Sequence, residues 1–196
     1  MNIYKAIKLE RKHLKMFLIT MFFISIILPM ALVLTRLTTV FYLSYLAVIE
    51  VLIVMAIIIK LNAYRVEYEC LNNKLFFKTG ILTKGNLIIC DKVALVHTNK
   101  SDYDLEIILI TNIVFKNKAL RPVVEKQLLK RYPQMRNEYM NLKQLNPDKK
   151  YYFQVIRRGG LKKYLLLDLI YRNCVKAVYT DASIQNIKIA RGQIIV

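Results

Sequence analysis

Two stretches decide the fold of this chain: MFLITMFFISIILPMALVLT, Met16 to Thr35, and VFYLSYLAVIEVLIVMAIII, Val40 to Ile59. Each is 20 residues long. At about 1.5 Å rise per residue, such a helix matches a hydrocarbon core of roughly 30 Å. Only Arg36, Leu37, Thr38 and Thr39 separate them, enough for a tight reversal and little else. The pair predicts a transmembrane helical hairpin over residues 16–60.

Charge sets the expected orientation. The chain carries a formal net charge of +18. Lys5, Lys8, Arg11, Lys12 and Lys15 precede the hairpin against Glu10 alone, and the inter-helix turn holds only Arg36. From Lys60 onward there are 25 basic and 11 acidic residues. Basic flanks stay on the cytoplasmic side, so both termini are expected in the cytoplasm of an inner or plasma membrane. A cleaved leader would share the charged start, but its apolar run is shorter and ends in a small-residue site. Residues 1–15 read as a positive flank. Tyr4, Ile7 and Arg11 have helical spacing, and an interfacial amphipathic helix is the alternative.

Two residues interrupt the apolar pattern. Pro29 has no N–H for the carbonyl of Ser25. Glu50 falls mid-span, level with Ser25 when the two runs are folded against each other. It can hydrogen-bond the freed carbonyl or the Ser25 hydroxyl, and intramembrane acids mark contact or functional positions. Ser25, Pro29 and Glu50 are thus the expected helix–helix contact, with a membrane partner or ion chemistry as the other roles for Glu50.

Beyond Lys60 the apolar residues alternate instead of running on. Tyr64, Val66, Tyr68 and Cys70 alternate with Arg65, Glu67 and Glu69, which is a half-buried strand. Asn72-Asn73 turns the chain into KLFFK, and Gly80 and Gly85 mark further turns. Asn86 to Cys90, Lys92 to Thr98 and Tyr103 to Phe115 extend the series. An antiparallel sheet or partly closed barrel is the economical fold.

The stretch YRVEYECLNNKLFFKTGILTKGNLIICDKVALV, Tyr64 to Val96, with its alternating strand, turn, strand closing on Gly80-Ile81-Leu82 and polar step, resembles the bacterial pleckstrin-homology-like (bPH) membrane proteins. The resemblance covers about 64–115 plus the hairpin layout. It implies a PH-like sheet capped by a C-terminal helix. It implies no reaction and no particular lipid, and the family has no shared catalytic residues to carry over. The fold class is accordingly α+β: the hairpin, then a cytoplasmic domain over 61–196 with a PH-like sheet and amphipathic helices.

Residues 119–145 depart from that pattern. Leu120, Val124, Leu128, Tyr132, Met135, Tyr139 and Leu142 recur at steps of three and four, an amphipathic stripe. Pro122 suits a first helical turn, and Pro133 should kink or divide the stripe. Between Lys116 and Lys150 ten basic residues face three acids. Residues 151–191 then predict a hairpin, YYFQVIR and KYLLLDLIY around Gly159-Gly160, and a helix from Ala182 to Arg191 capped by Thr180-Asp181. KYLLLDLIY also suits a helical period.

Chemistry is sparse. No phosphate-binding glycine loop, zinc-protease or serine-hydrolase motif occurs. His13 stands beside the membrane, and His97 reads as a packed or surface strand residue and not as a catalyst. Asp102, Asp104 and Glu106 alternate on one strand face, which could hold a cation; without a second ligand set they read as a solvated face or as ion-pair partners for the basic helix. Cys70, Cys90 and Cys174 are dispersed, and read as inert thiols with neither disulfide nor zinc spacing. No cofactor, metal or catalytic residue is expected, and the chain does not read as an enzyme.

The positive surface is the remaining signal. Lys126, Lys130 and Arg131 on the helix, and Arg157, Arg158, Lys162 and Lys163 around the glycine turn, are the expected lipid- or partner-binding residues. Near an anionic leaflet each gains roughly 1 kcal/mol. The expected partners are membrane lipids and a protein partner or second copy; charge alone argues for nucleic acid. The sequence reads as a membrane-anchored scaffold that docks on the inner leaflet and recruits a protein. The alternative is a subunit of a larger secretion, transfer or transport assembly.

Overall fold

The computed structural model describes residues 2–36, 39–101 and 104–194, without the side chains of Ser101 and Lys126. Leu37, Thr38, Asp102 and Tyr103 lie outside the described residues. Helix α1 spans Ile3–Leu34 and α2 spans Val40–Tyr64, and both are long and apolar enough to cross a membrane. Their side chains are largely uncovered: Phe22, Phe23, Phe41 and Leu52 are each more than half exposed. Monomers in water rarely leave so large an apolar surface open.

Helix α1 starts well before the apolar run. Asn2 caps it, its side chain accepting the Tyr4 N–H at 3.1 Å. Ile3, Ala6 and Ile7, one face of that helix, are buried in the globular part, while Lys5, Lys8, Arg11 and Lys12 stay exposed. The flank therefore buries one face in the core and keeps its charges on the other. Its start and the globular part lie at the same end of the hairpin.

The first sheet is a meander of β1 (Val66–Leu71), β2 (Lys74–Thr79) and β3 (Asn86–Ile89), all antiparallel. Asn72 and Asn73, with φ of 48° and 63°, make the tight turn that joins the first two strands. Gly80, at φ 88°, lets the next loop close against α2, because a Cβ there would meet Asn62 Oδ1 at 2.2 Å. That same oxygen accepts the Ile81 N–H at 2.8 Å.

The second sheet holds β4 (Val93–Ser101), β5 (Asp104–Thr111), β6 (Arg121–Pro122), β7 (Tyr152–Ile156) and β8 (Val178–Tyr179). Its order is β6-β7-β5-β4-β8, antiparallel except for the parallel pair β4–β8. The protein is thus α+β, with two sheets where one was expected.

The helical stripe is divided as Pro133 requires. α3 (Glu125–Arg131) and α4 (Arg136–Leu145) flank a 3-10 turn at Pro133–Met135. Leu128, Tyr132, Met135 and Tyr139 are buried as the stripe predicts, whereas Val124 is exposed and Leu120 precedes the helix. Pro122 lies in edge strand β6, where its missing N–H costs no ladder bond.

Residues 163–171 are helical, not the second strand of a hairpin. α5 (Lys162–Asn173) buries Tyr164, Leu166, Leu167 and Ile170, and β7 pairs with β5 and β6 instead. α6 (Asp181–Ala190) follows its Thr180 cap. It is fastened to β4 by Ser183 Oγ donating to the Val96 carbonyl at 2.9 Å and Asn186 Nδ2 donating to Thr98 Oγ1 at 2.9 Å.

A candidate anion-binding cleft

A cleft of about 680 Å³ opens between the two sheets. β7 forms one wall through Phe153, Gln154 and Val155, continued by Leu128 and Tyr132 at α3. The opposite wall is the loop from β2 to β3, with Thr83 and Lys84. Lys118 and Arg121 enter from the connection leading to β6, and Arg131 and Arg157 complete the lining. Five cationic side chains thus face one opening, and no carboxylate is among the described lining residues.

One acid organises the arginines from behind. Glu106 Oε1 accepts from Arg157 Nε at 2.8 Å and lies 3.8 Å from Arg131 Nη2. Its other oxygen accepts from the Tyr132 hydroxyl at 2.9 Å. Burial, and then this hydrogen bond, raise the Tyr132 phenol above its usual range. Lys84, Lys118 and Arg121 make no ion pair among the described residues. Two cations are held in place and three remain to meet a ligand.

The cleft also contains strand edge. The Tyr151 carbonyl accepts the Val123 N–H at 3.0 Å on the β6 side. Backbone groups alternate sides along a strand, so those of Val155 point the same way, past the end of two-residue β6. Such an edge can accept an added extended segment.

The residues expected to bind do not form one patch. Arg131 and Arg157 line the cleft. Lys130 is exposed on α3 and Arg158 is exposed beside Gly159, whose N–H donates to the Ala63 carbonyl at 2.8 Å. Lys162 is half-buried where the hairpin meets the globular part. The Lys126 side chain lies outside the described residues.

Lys163 must be withdrawn as a surface cation. It is fully buried, and its Nζ donates to the Asp104 carboxylate and to the Arg157 carbonyl. Burial lowers its pKa while Asp104 opposes that. The helical turn of α5 rotates it inward, where the strand reading had left it outside. Lys84, Lys118 and Arg121 are the cations that sequence reasoning missed. Lys84 comes from the β2–β3 loop and Lys118 and Arg121 from the segment at β6, and only the tertiary fold brings the two together.

In the hairpin, Ser25 Oγ donates to Glu50 Oε2 at 2.5 Å. Glu50 Oε1 is enclosed without a hydrogen-bond partner. Pro29 lies inside α1, one turn beyond Ser25.

The cysteines are dispersed only in sequence. Cys70 Sγ and Cys90 Sγ are 3.7 Å apart, and Cys174 is buried in the same core as Cys90. The neighbouring thiols lower the Cys90 pKa, while burial pushes Cys70 up. His97 is buried, with Nδ1 2.9 Å from Thr180 Oγ1, and burial takes its pKa down to about 4.

The chain matches no family model, no curated protein and no solved structure. Its geometry presents five cationic side chains to one cleft.

Proposed function

We propose that this is an integral membrane protein with both flanks in the cytoplasm, acting as a non-catalytic scaffold. In this reading the two helices anchor it, the meander and its neighbours form a PH-like sheet, and the basic cleft receives an acidic, extended segment of a partner protein. The observation that carries the proposal is a cleft with five cations and no carboxylate among its described lining residues, beside the two-residue edge strand β6. Acidic side chains pair with Lys84, Lys118 and Arg121, while the partner's backbone continues the sheet beyond β6. Lys130 and Arg158 add long-range attraction to an anionic leaflet. Glu50 and Ser25 hold the hairpin together.

The test uses the full chain in neutral-lipid nanodiscs and a short fluorescent peptide of alternating Glu and Ser. Binding should weaken with salt. It should fall by about tenfold, the equivalent of roughly 1.4 kcal/mol, in Lys118→Glu with Arg121→Glu. Equal binding by that double variant sinks the reading.

A further inference from the structure

A second cavity, of about 300 Å³, lies in the elbow between the hairpin and the globular part. Its walls are apolar: Leu14 of α1, Leu61 and the Tyr64 ring of α2, and Ile81 from the β2–β3 loop. Its rim is cationic, with Arg11, Arg65 and Lys162 around a single acid, Glu10.

That acid is already engaged. Both Glu10 oxygens accept the Leu161 N–H at 3.1 Å, and Gly160 is needed there because a Cβ would meet Glu10 Oε1 at 2.6 Å. Arg65 is held by Glu67 at 2.7 Å. Arg11 and Lys162 make no ion pair among the described residues. The cavity therefore offers two cations outside any described ion pair, against the single carboxylate of Glu10, above an apolar floor.

Its level along the hairpin specifies what can fill it. Leu14 and Leu61 lie within two residues of the apolar runs. Beside them Lys60 Nζ sits over the rings of Phe17 and Tyr64, 5.7 and 5.1 Å from their centroids. Aromatic rings and snorkelling lysines mark the boundary of the hydrocarbon. A free phosphate would use the rim and leave the floor wet; a neutral lipid would leave the cations unpaired. The volume is at the lower end for ligand pockets, suited to a headgroup and its first methylenes.

We propose that the elbow binds one anionic phospholipid from the surrounding leaflet, its phosphate between Arg11 and Lys162 and its first acyl methylenes on Leu14, Leu61 and Ile81. The inference rests on the membrane-spanning reading and is independent of what occupies the basic cleft. The bound lipid touches α1, α2, the β2–β3 loop and the start of α5 at once, so it clamps the domain to its anchor. Thr83 and Lys84 of that same loop line the cleft, which places the lipid one loop away from the partner site.

The experiment is native mass spectrometry of the full chain released from nanodiscs of equal phosphatidylglycerol and phosphatidylcholine. One phosphatidylglycerol should be retained in preference to phosphatidylcholine. Arg11→Gln with Lys162→Gln should lower that preference by about tenfold, and Lys118→Glu with Arg121→Glu should leave it intact. Ile81→Phe, which fills the floor without changing charge, should also expel the lipid. Added glycerol phosphate should not compete. Equal retention of the two lipids, retention by the Gln double variant, or displacement by glycerol phosphate each overturns the proposal. A chain that stays in water without detergent overturns the membrane reading itself, a separate outcome.

Discussion

The two faces of the five-stranded sheet are covered in contrasting ways. On one, Val96, Ile107 and Leu109 meet an aliphatic layer that includes Ile3, Ile7, Leu166, Ile170 and Ile187. On the other, Leu95, Ile108 and Ile110 meet Leu128, Tyr132, Met135, Tyr139 and Tyr151. The aliphatic face is assembled from both ends of the chain, and its buried polar groups, Ser183 and Asn186 of α6, bond directly to β4. The tyrosine face is assembled from α3, α4 and β7, and its rings end in hydrogen bonds at the rim, such as Tyr132 to Glu106. One face locks the domain to the anchor; the other supplies the cleft wall. The first turns of α1 and the basic cleft thus lie against opposite sides of a single sheet.

The largest expected effect tests the lock. Ile7→Ala should destabilise the domain by about 2–5 kcal/mol, as for other buried large-to-small changes, although Ile7 belongs to the helix that continues into the apolar run. Thermal unfolding of the full chain in detergent reads this. A loss no larger than that of an exposed α1 substitution would break the contrast between the faces.

The tyrosine face should respond to acid instead. Unfolded His97 binds its proton near 6.5 and folded His97 near 4, so between those values the unfolded state carries more protons. Stability therefore falls as pH drops from about 6.5 through 4, by about 3 kcal/mol in all. Denaturant midpoints across that range should show the slope in the native chain and its disappearance in His97→Gln. A slope that survives the substitution assigns the acid response to other groups.

The smallest effect sharpens the boundary between lock and anchor. Glu10→Ala removes the acceptor for the Leu161 N–H and should cost about 1 kcal/mol. Glu10→Gln keeps a side-chain oxygen and should cost less. Comparable losses in the two variants would mean that the carboxylate acts through charge and not as a cap.

What could be read from the sequence follows the range of the interactions. The two apolar runs and strands β1 to β5 declare themselves through local periodicity and turn residues such as Asn72-Asn73. Pro133 announced the break between α3 and α4 for the same reason. Leu165-Leu166-Leu167 satisfies strand and helix periods alike, and what closes the helix start, Glu10, is 151 residues away from Leu161. Ile3 and Ile7 carry helical spacing, but nothing near them names the core they enter. The cleft was the least legible feature. Local charge density pointed to Arg157–Lys163, where one lysine is internal, while Lys84 and Lys118 are scattered cations until the fold gathers them.

The burial of α1's first turns also constrains how the protein is made. Residues 3–7 leave the ribosome long before Leu166, Ile170 and Ile187, the core residues they are sealed among. At typical synthesis rates that interval is on the order of ten seconds. In a membrane-inserted chain the hairpin is therefore in place before the domain can close, and the first helical turns wait at the bilayer surface for the last. Geometry orders the closure: the core around Ile3 and Ile7 is complete only once α5 and α6 have been made.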